Sequence, residues 1–464
     1  MSDGGRIADL ERAHDELLQR HSSQLRDYVA EHGGDLAHHH VHPGGFSLPL
    51  RPIFLTRGQL ARLNDDVRVL WSALLRVFFE TYAGDVRRIG EQLRLDEAII
   101  DTLERYFVPE QHVDELFGRS DGFACDGGFA HDGRIVFIEQ NITSGPGGLP
   151  ATGALTEFFA NAPTLSRLRG RTPLHGLSPM DAYEELFRSP GFAGATVGYI
   201  DALDFDGSLW DDDGLRFLAV LADRGIELVN LTGREMIVRA DGLYADGRRI
   251  DRVYRGGAAV GMWHRHDELA PIYEACRRDL IHMTTSLFET IFFDKVLLAH
   301  LSDPRLAPAL SRTEAATLAR ILPWTRLLRD DTTDYDGQTI SIPQFCRDHR
   351  ENLVIKRGNG FASNAVHIGT ETDDRGWDAA VDKGLAEGNW IVQRLVDPAR
   401  IRLPFLIDGR VEHTEVTTMV CPFVVRGTVR AIAARTSIPG GGMVLVGAGE
   451  PGSSAGLRTA FTVG

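Results

Sequence analysis

Between residues 6 and 32 (RIADLERAHDELLQRHSSQLRDYVAEH) apolar side chains return every three or four positions, which predicts an amphipathic helix. A Gly/His/Pro stretch, GGDLAHHHVHPGG, breaks the pattern, and helical spacing resumes from Arg57 to about Phe117. The texture then changes. FACDGGFAHDGRIVFIEQNITSGPGG holds two extended runs on either side of Asp132–Gly133, a dipeptide suited to a two-residue hairpin turn. Residues 195–257 alternate in type: ATVGYIDAL as a buried strand, GLRFLAVLADRG as a helix, IELVNLT as a strand, and RRIDRVYRGG as a strand ending at Arg255. Helical patterns dominate residues 267–330, where Lys295 follows Asp294 at the head of a Leu-rich segment. NLVIKRGNGFASNAVHIG then reads as a short apolar strand ending in Lys356, a glycine-bearing loop and a second strand. A helix around Asp378–Glu387 and a buried strand, NWIVQRLVD, come next. Residues 401–437 read as antiparallel strands with turns at Asp408–Gly409 and Arg426–Gly427, followed by a glycine-rich, loop-like tail.

At 464 residues the chain exceeds one ordinary core, so two or three domains are expected. A formal charge of −15 argues against a nucleic-acid backbone or an anionic membrane as main partner, though not against ATP in a local basic pocket. Cys125, Cys276, Cys346 and Cys421 show no CxxC or zinc spacing and read as thiols in a reducing compartment. With a polar N-terminus and no run of 18 apolar residues, a cytoplasmic protein is expected. His38, His39, His40 and His42 read as an exposed loop, since adjacent side chains on an extended chain point to opposite faces.

One compositional detail changes the picture. Of 50 basic residues only Lys295, Lys356 and Lys383 are lysine. Lysine and arginine are not interchangeable at a phosphate, so a lysine in an arginine-rich chain asks for a chemical reason. Lys383 sits in a polar helical stretch and reads as solvated. Lys356 stands before Gly358, Gly360 and Ser363, a loop whose backbone N–H groups can approach phosphate oxygens. It is not a Walker A loop, because the lysine precedes the glycines. No GxGxxG follows the strand at residue 195, so the α/β unit is Rossmann-like without a sign of NAD.

In the hairpin, a two-residue turn places Asp126 across from Glu139, with Asn141 on the same face as Glu139. Facing carboxylates repel unless a cation lies between, and Asp126, Glu139 and Asn141 form an oxygen set suited to Mg²⁺. Arg119 and Asp121 offer a competing Arg-x-Asp pair if the register differs. Arg255 and Arg435 end or follow apolar runs and are candidates to enter a cleft.

The order Lys295, strand–Lys356–glycine loop, then Trp390-Ile-Val-Gln393-Arg-Leu395-Val396 resembles the nucleotide half of an ATP-grasp enzyme. Because Glu139-x-Asn141 precedes these elements, the closer resemblance is to the circularly permuted group that includes glutathionylspermidine synthetase-like proteins. That resemblance implies an α/β and α+β multidomain fold. Residues 1–118 would form a helical N-terminal region, 119–165 the metal-binding hairpin, 166–265 a Rossmann-like domain and 266–464 the nucleotide-binding subdomains. It implies ATP and Mg²⁺, with Lys295 and Lys356 on the phosphates, Gly358 to Ser363 as the loop over them and Gln393, Leu395 and Val396 on the adenine strand. The metal set would be Asp126, Glu139 and Asn141. In the related pattern an arginine lies two residues before the first metal aspartate; here that place is Ala124, so its role is unfilled or falls to Arg119, Arg255 or Arg435, and Arg435 first, Arg255 second, would steady the acyl phosphate and tetrahedral intermediate. The implied activity joins a small carboxylate to a small amine through an acyl phosphate, with the glycine loop shielding that intermediate from water. A kinase-like phosphotransferase and a non-catalytic nucleotide-binding protein are the alternatives.

Overall fold

A computed structural model describes residues 3–38, 48–107, 116–126, 133–143, 149–178, 185–187, 190–200, 221–222, 225–255, 266–284, 286–360, 365–407, 410–437 and 455–464. His39, His40, His42, Asp132, Ser363, the Asp408–Gly409 turn, most of the helix expected at 214–225 and the glycine-rich stretch 438–454 lie outside the described residues.

The expected N-terminal helix is two, Asp3–Arg20 and Ser22–His38. The first buries Ile7, Leu10, His14 and Leu17, the stripe that the three-and-four spacing marks out. A capping box opens the helix Arg57–Arg76: Thr56 accepts from the Gln59 N–H while the Gln59 side chain returns to Thr56. A π-turn, Val77–Thr81, ends that helix, and two short ones follow, Val86–Gln92 and Glu97–Tyr106.

An eight-stranded sheet organises the molecule. Its path runs from Ile53–Thr56 through Ala455–Val463, Thr428–Ser437, Arg410–Val425 and Phe117–Ala124 to Ile135–Asn141; Arg400–Ile407 and Leu174–Gly176 pair at the side. Only the Ile53–Thr56 edge is parallel among these pairings. Arg426 and Gly427 both take positive φ, 50° and 71°, at the predicted turn. Ala455–Val463, absent from the sequence expectation, sits inside this sheet.

A second sheet, all antiparallel, orders Thr325–Leu327, Trp390–Arg394, Leu353–Arg357 and Val366–Ile368, with Trp377 and Trp390 in its core. Four parallel strands, His282–Thr284, Arg252–Arg255, Thr196–Ile200 and Glu227–Asn230, form a third. The stretch RRIDRVYRGG is two strands, not one: Arg248–Ile250 pairs with Gly242–Ala245, and Arg252–Arg255 enters the parallel sheet.

Candidate nucleotide-binding site

Lys356 comes from the middle of its hairpin, paired with Val366 and Ile391, and its side chain is buried. Its ammonium donates to Gln393 Oε1 at 2.9 Å and to the Ile138 carbonyl at 3.3 Å. This second contact joins the lysine hairpin to the acidic strands, 218 residues earlier in the chain. Register explains why that carbonyl is at hand. Gly122 pairs with Phe137 but Asp121 pairs with Glu139, so Ile138 is the extra residue of a bulge. A Cβ on Gly122 would lie 2.8 Å from the Val136 carbonyl, so the close approach at the bulge requires glycine.

The same register overturns the expected pairing of Asp126 with Glu139. Ala124 pairs with Ile135, and the Cys125 N–H reaches the Arg134 carbonyl, so the connection spans far more than two residues and Asp121, not Asp126, faces Glu139. Asp126 has a positive φ of 54° just past the strand end and ion-pairs with Arg134 at 2.8 Å, both side chains largely exposed. With Asp121 in its place, Arg119 stands two residues earlier, where Ala124 left the arginine role empty.

Asp121 is nearly inaccessible and saturated with donors. Arg119 grips it at 2.6 and 2.8 Å, Arg435 reaches Oδ2 at 3.3 Å, and the Asn141 amide reaches the same oxygen at 3.0 Å. Burial opposes ionisation of this carboxyl, but Arg119 and then Arg435 outweigh it and hold its pKa below the ordinary value. Strand register explains the convergence: Phe123, Met419 and Arg435 lie side by side on adjacent strands, and Arg119 sits beside Phe423.

Lys295 approaches from the other side. It precedes the helix Val296–Ser302, is buried, and stands 3.5 Å from Glu139 Oε1, with its ammonium donating to the Gly360 carbonyl at 2.6 Å. The two glycines act differently from expectation. Gly358 N–H donates to the Asn389 carbonyl and Gly360 N–H to the Arg357 carbonyl, while the Gly358 and Gly360 carbonyls both serve Lys295. Their N–H groups are therefore committed to shaping the loop, and the glycines dock the first lysine. Gln393 accepts from Lys356 and donates to Thr325 Oγ1 at 3.1 Å, so it also orients the lysine.

A cleft of about 740 Å³ lies alongside, lined by Lys356, Gln393, Leu395, Val396 and Arg435, with Phe123 and Ile138 among its apolar walls. Four cations (Lys295, Lys356, Arg119 and Arg435) thus gather around two carboxylates (Asp121 and Glu139). A local positive excess in a chain of net charge −15 is the signature of a site for an anion. Burial, against the attraction of Glu139, lowers the Lys356 pKa to about 8.

Arg255, fully buried at the end of its parallel strand, ion-pairs with Glu289 and donates to the Ser286 carbonyl at 3.4 Å.

No group of three or more His, Cys, Asp or Glu suited to a metal occurs among the described residues. A Mg²⁺ shared with phosphate needs fewer protein ligands. Glu139, with a quarter of its side chain exposed, and the Asn141 oxygen, left as an acceptor when its amide serves Asp121, fit a hard cation. Asp121 completes an all-oxygen set, though both its oxygens already serve guanidinium groups. Among the described residues no helix is long and apolar enough to cross a membrane.

No protein-family model matches the chain, and no curated protein matches it. Solved structures do. A glutathione synthetase-like effector from Globodera pallida, in its apo form, superposes with a TM-score of 0.54 at 12% identity, over 96% of this chain and 97% of that one. D-alanyl-alanine synthetase A from Vibrio cholerae O1 aligns at a TM-score of 0.27 and 10% identity, over 49% of this chain and 67% of that one. The ATP-grasp ligase PsnB, complexed with a minimal precursor, also gives 0.27 and 10%, over 53% and 86%. The superposition that spans nearly both chains carries the conclusion: the chain has an ATP-grasp fold.

Proposed function

We propose that the chain is an ATP-dependent ligase joining a small, amino-acid-like carboxylate to an amine. The observation that supports this most is the meeting of Lys295 and Lys356, two of only three lysines, at Glu139 and the neighbouring Ile138 carbonyl. Lys295 and Lys356 would hold the ATP phosphates, and Leu395 and Val396 would flank adenine in the cleft. Asp121 takes the place first given to Asp126, beside Glu139 and Asn141, in holding Mg²⁺. Bound there, the ion would offset charge on the phosphate oxygens.

The chain's own groups then have definite tasks. A carboxylate oxygen of the acid attacks the γ-phosphorus, the bond to the ADP oxygen breaks, and an acyl phosphate forms. Lys295 and Lys356 neutralise the oxygens that gain charge, as fixed donors cost no reorganisation. Arg435 and Arg119, immobilised on Asp121, face the acyl group and its tetrahedral adduct. The amine nitrogen attacks the carbonyl carbon, inorganic phosphate leaves, and the amine's proton departs with it. The acidic strands precede the lysines in the chain, which favours the circularly permuted arrangement. We take the four parallel strands as its Rossmann-like pre-domain, and the four free cysteines as fitting a cytoplasmic setting.

The test is a screen of paired amino acids for ADP release, with mass analysis of products. A ligase gives ADP only when acid and amine are both present, together with a product lighter than their sum by one water. ADP release on a single acceptor, with a phosphorylated product, would show a phosphotransferase instead.

A further inference from the structure

Asp294 and Asn389 are buried beside the nucleotide site yet do not line its cleft. They close a ring. Lys295 N–H donates to the Gly358 carbonyl at 3.0 Å, and Gly358 N–H donates to the Asn389 carbonyl at 2.9 Å. Asn389 Nδ2 donates to Asp294 Oδ2 at 3.1 Å, and the peptide bond from Asp294 to Lys295 completes the circuit. Asp294 Oδ1 also takes the Val296 N–H at 2.9 Å, and Asn389 Nδ2 reaches the Leu93 carbonyl at 2.5 Å. Gly358 fits only because it lacks a side chain: a Cβ there would overlap Asn389 Oδ1 and Asp294 Oδ1.

The ring ties three separate elements: the turn bearing Lys295, the loop after Lys356 and the start of the strand Trp390–Arg394. Lysine has a flexible four-carbon stem, so where its ammonium can stand depends on where its backbone is anchored. A buried carboxylate is costly unless its hydrogen bonds are made, and here they converge on the residue next to Lys295 and on the partner of Gly358. We infer that Asp294 and Asn389 are positioning residues that set the distance between Lys295 and the glycine loop, and through it the affinity for a nucleoside triphosphate. This inference rests on the nucleotide assignment above.

The experiment measures binding of the non-hydrolysable β,γ-imido analogue of ATP with Mg²⁺, alongside melting temperature. Asp294→Asn keeps the bond from Val296 but sets its amide against the Asn389 amide, donor to donor. The analogue should bind roughly tenfold more weakly, the effect of one buried donor left unpaired. In a Lys295→Met background the same change should have almost no further effect, because Asp294 acts through Lys295. The exchange Asp294→Asn with Asn389→Asp turns the pair round and should recover part of the affinity. Asn389→Ala, which cuts the link and leaves the Gly358 bond, serves as the second variant should Asp294→Asn melt too low to assay. Unchanged affinity, or an equal loss in the Lys295→Met background, would overturn the inference while leaving the nucleotide assignment intact. Failure of the unaltered protein to bind the analogue would instead remove that assignment, and this inference with it.

Discussion

At the scale of single residues, rarity carried more than motif. Lys295 and Lys356 stood out because arginine fills nearly every other basic position, and the structure brings both to the acidic strands. Lys383 lies half exposed on its helix and pairs with Glu387. The pairing of Asp126 with Glu139 does not form for a definite reason: a period-two pattern gives faces, but opposition depends on register, and here Ala124 pairs with Ile135 and the bulge brings Asp121 opposite Glu139. Glu139→Gln should therefore lower Mg²⁺-dependent turnover by at least about tenfold, the loss that even supporting residues of metal sites produce. Asp126→Asn should leave turnover unchanged. Steady-state rates against Mg²⁺ concentration check both, and a reversed order would restore the discarded register.

Lys356 supports a second prediction. Its folded pKa of about 8 lies below the usual 10.5, so the folded state sheds this proton first and its contribution to stability rises as pH climbs from 8 to 10.5. Phosphate favours the charged form, so ATP binding near pH 8 should take up a proton. Calorimetry in buffers of different ionisation heat measures that uptake, and Lys356→Met should abolish it. Equal heats in every buffer would show that the ammonium is not what the nucleotide meets.

At the scale of elements, amphipathic helices were legible wherever one face is wet. The helix Arg57–Arg76 announces itself by Leu63, Val67, Leu70 and Leu74 and by its capping box. Strands of the central sheet buried on both faces have no alternation to read. Ala455–Val463, buried from Gly456 to Val463 where described, is the clearest case, and it follows a glycine-rich run that suggests only loop. The bulge at Ile138 was equally silent, because nothing in Phe137-Ile138-Glu139 distinguishes an extra residue from a paired one. In the second sheet, Trp390 is fully buried, and its indole N–H reaches Glu387 at 2.7 Å. Trp390→Ala should cost about 3–5 kcal/mol, the usual range for emptying such a position. Urea unfolding measures it; a loss below about 1 kcal/mol would mean that this sheet's core is not cooperative with the rest.

At the scale of the whole molecule, a net charge of −15 surrounds a site that gathers four cations. A tetra-anionic nucleotide is repelled at long range and attracted at contact. Salt screens the former more than the latter, since buried pairs are screened least. Stopped-flow association rates for ATP should accordingly rise between low and physiological ionic strength, where a basic surface would make them fall. The order of the parts along the chain, acidic strands first and lysines later, was readable from sequence. How they meet was not, because Lys356 reaches the acidic strands only through the Ile138 carbonyl, and Arg435 reaches them through strand pairings such as Met419 with Phe123, 296 residues apart. The central claim is that Lys295, Lys356 and the Asp121/Glu139 pair grip one triphosphate, and a crystal structure with the β,γ-imido ATP analogue and Mg²⁺ tests it most directly. The account predicts phosphate oxygens within hydrogen-bonding distance of both ammonium groups and the ion on Glu139; a nucleotide seated away from either lysine would contradict it.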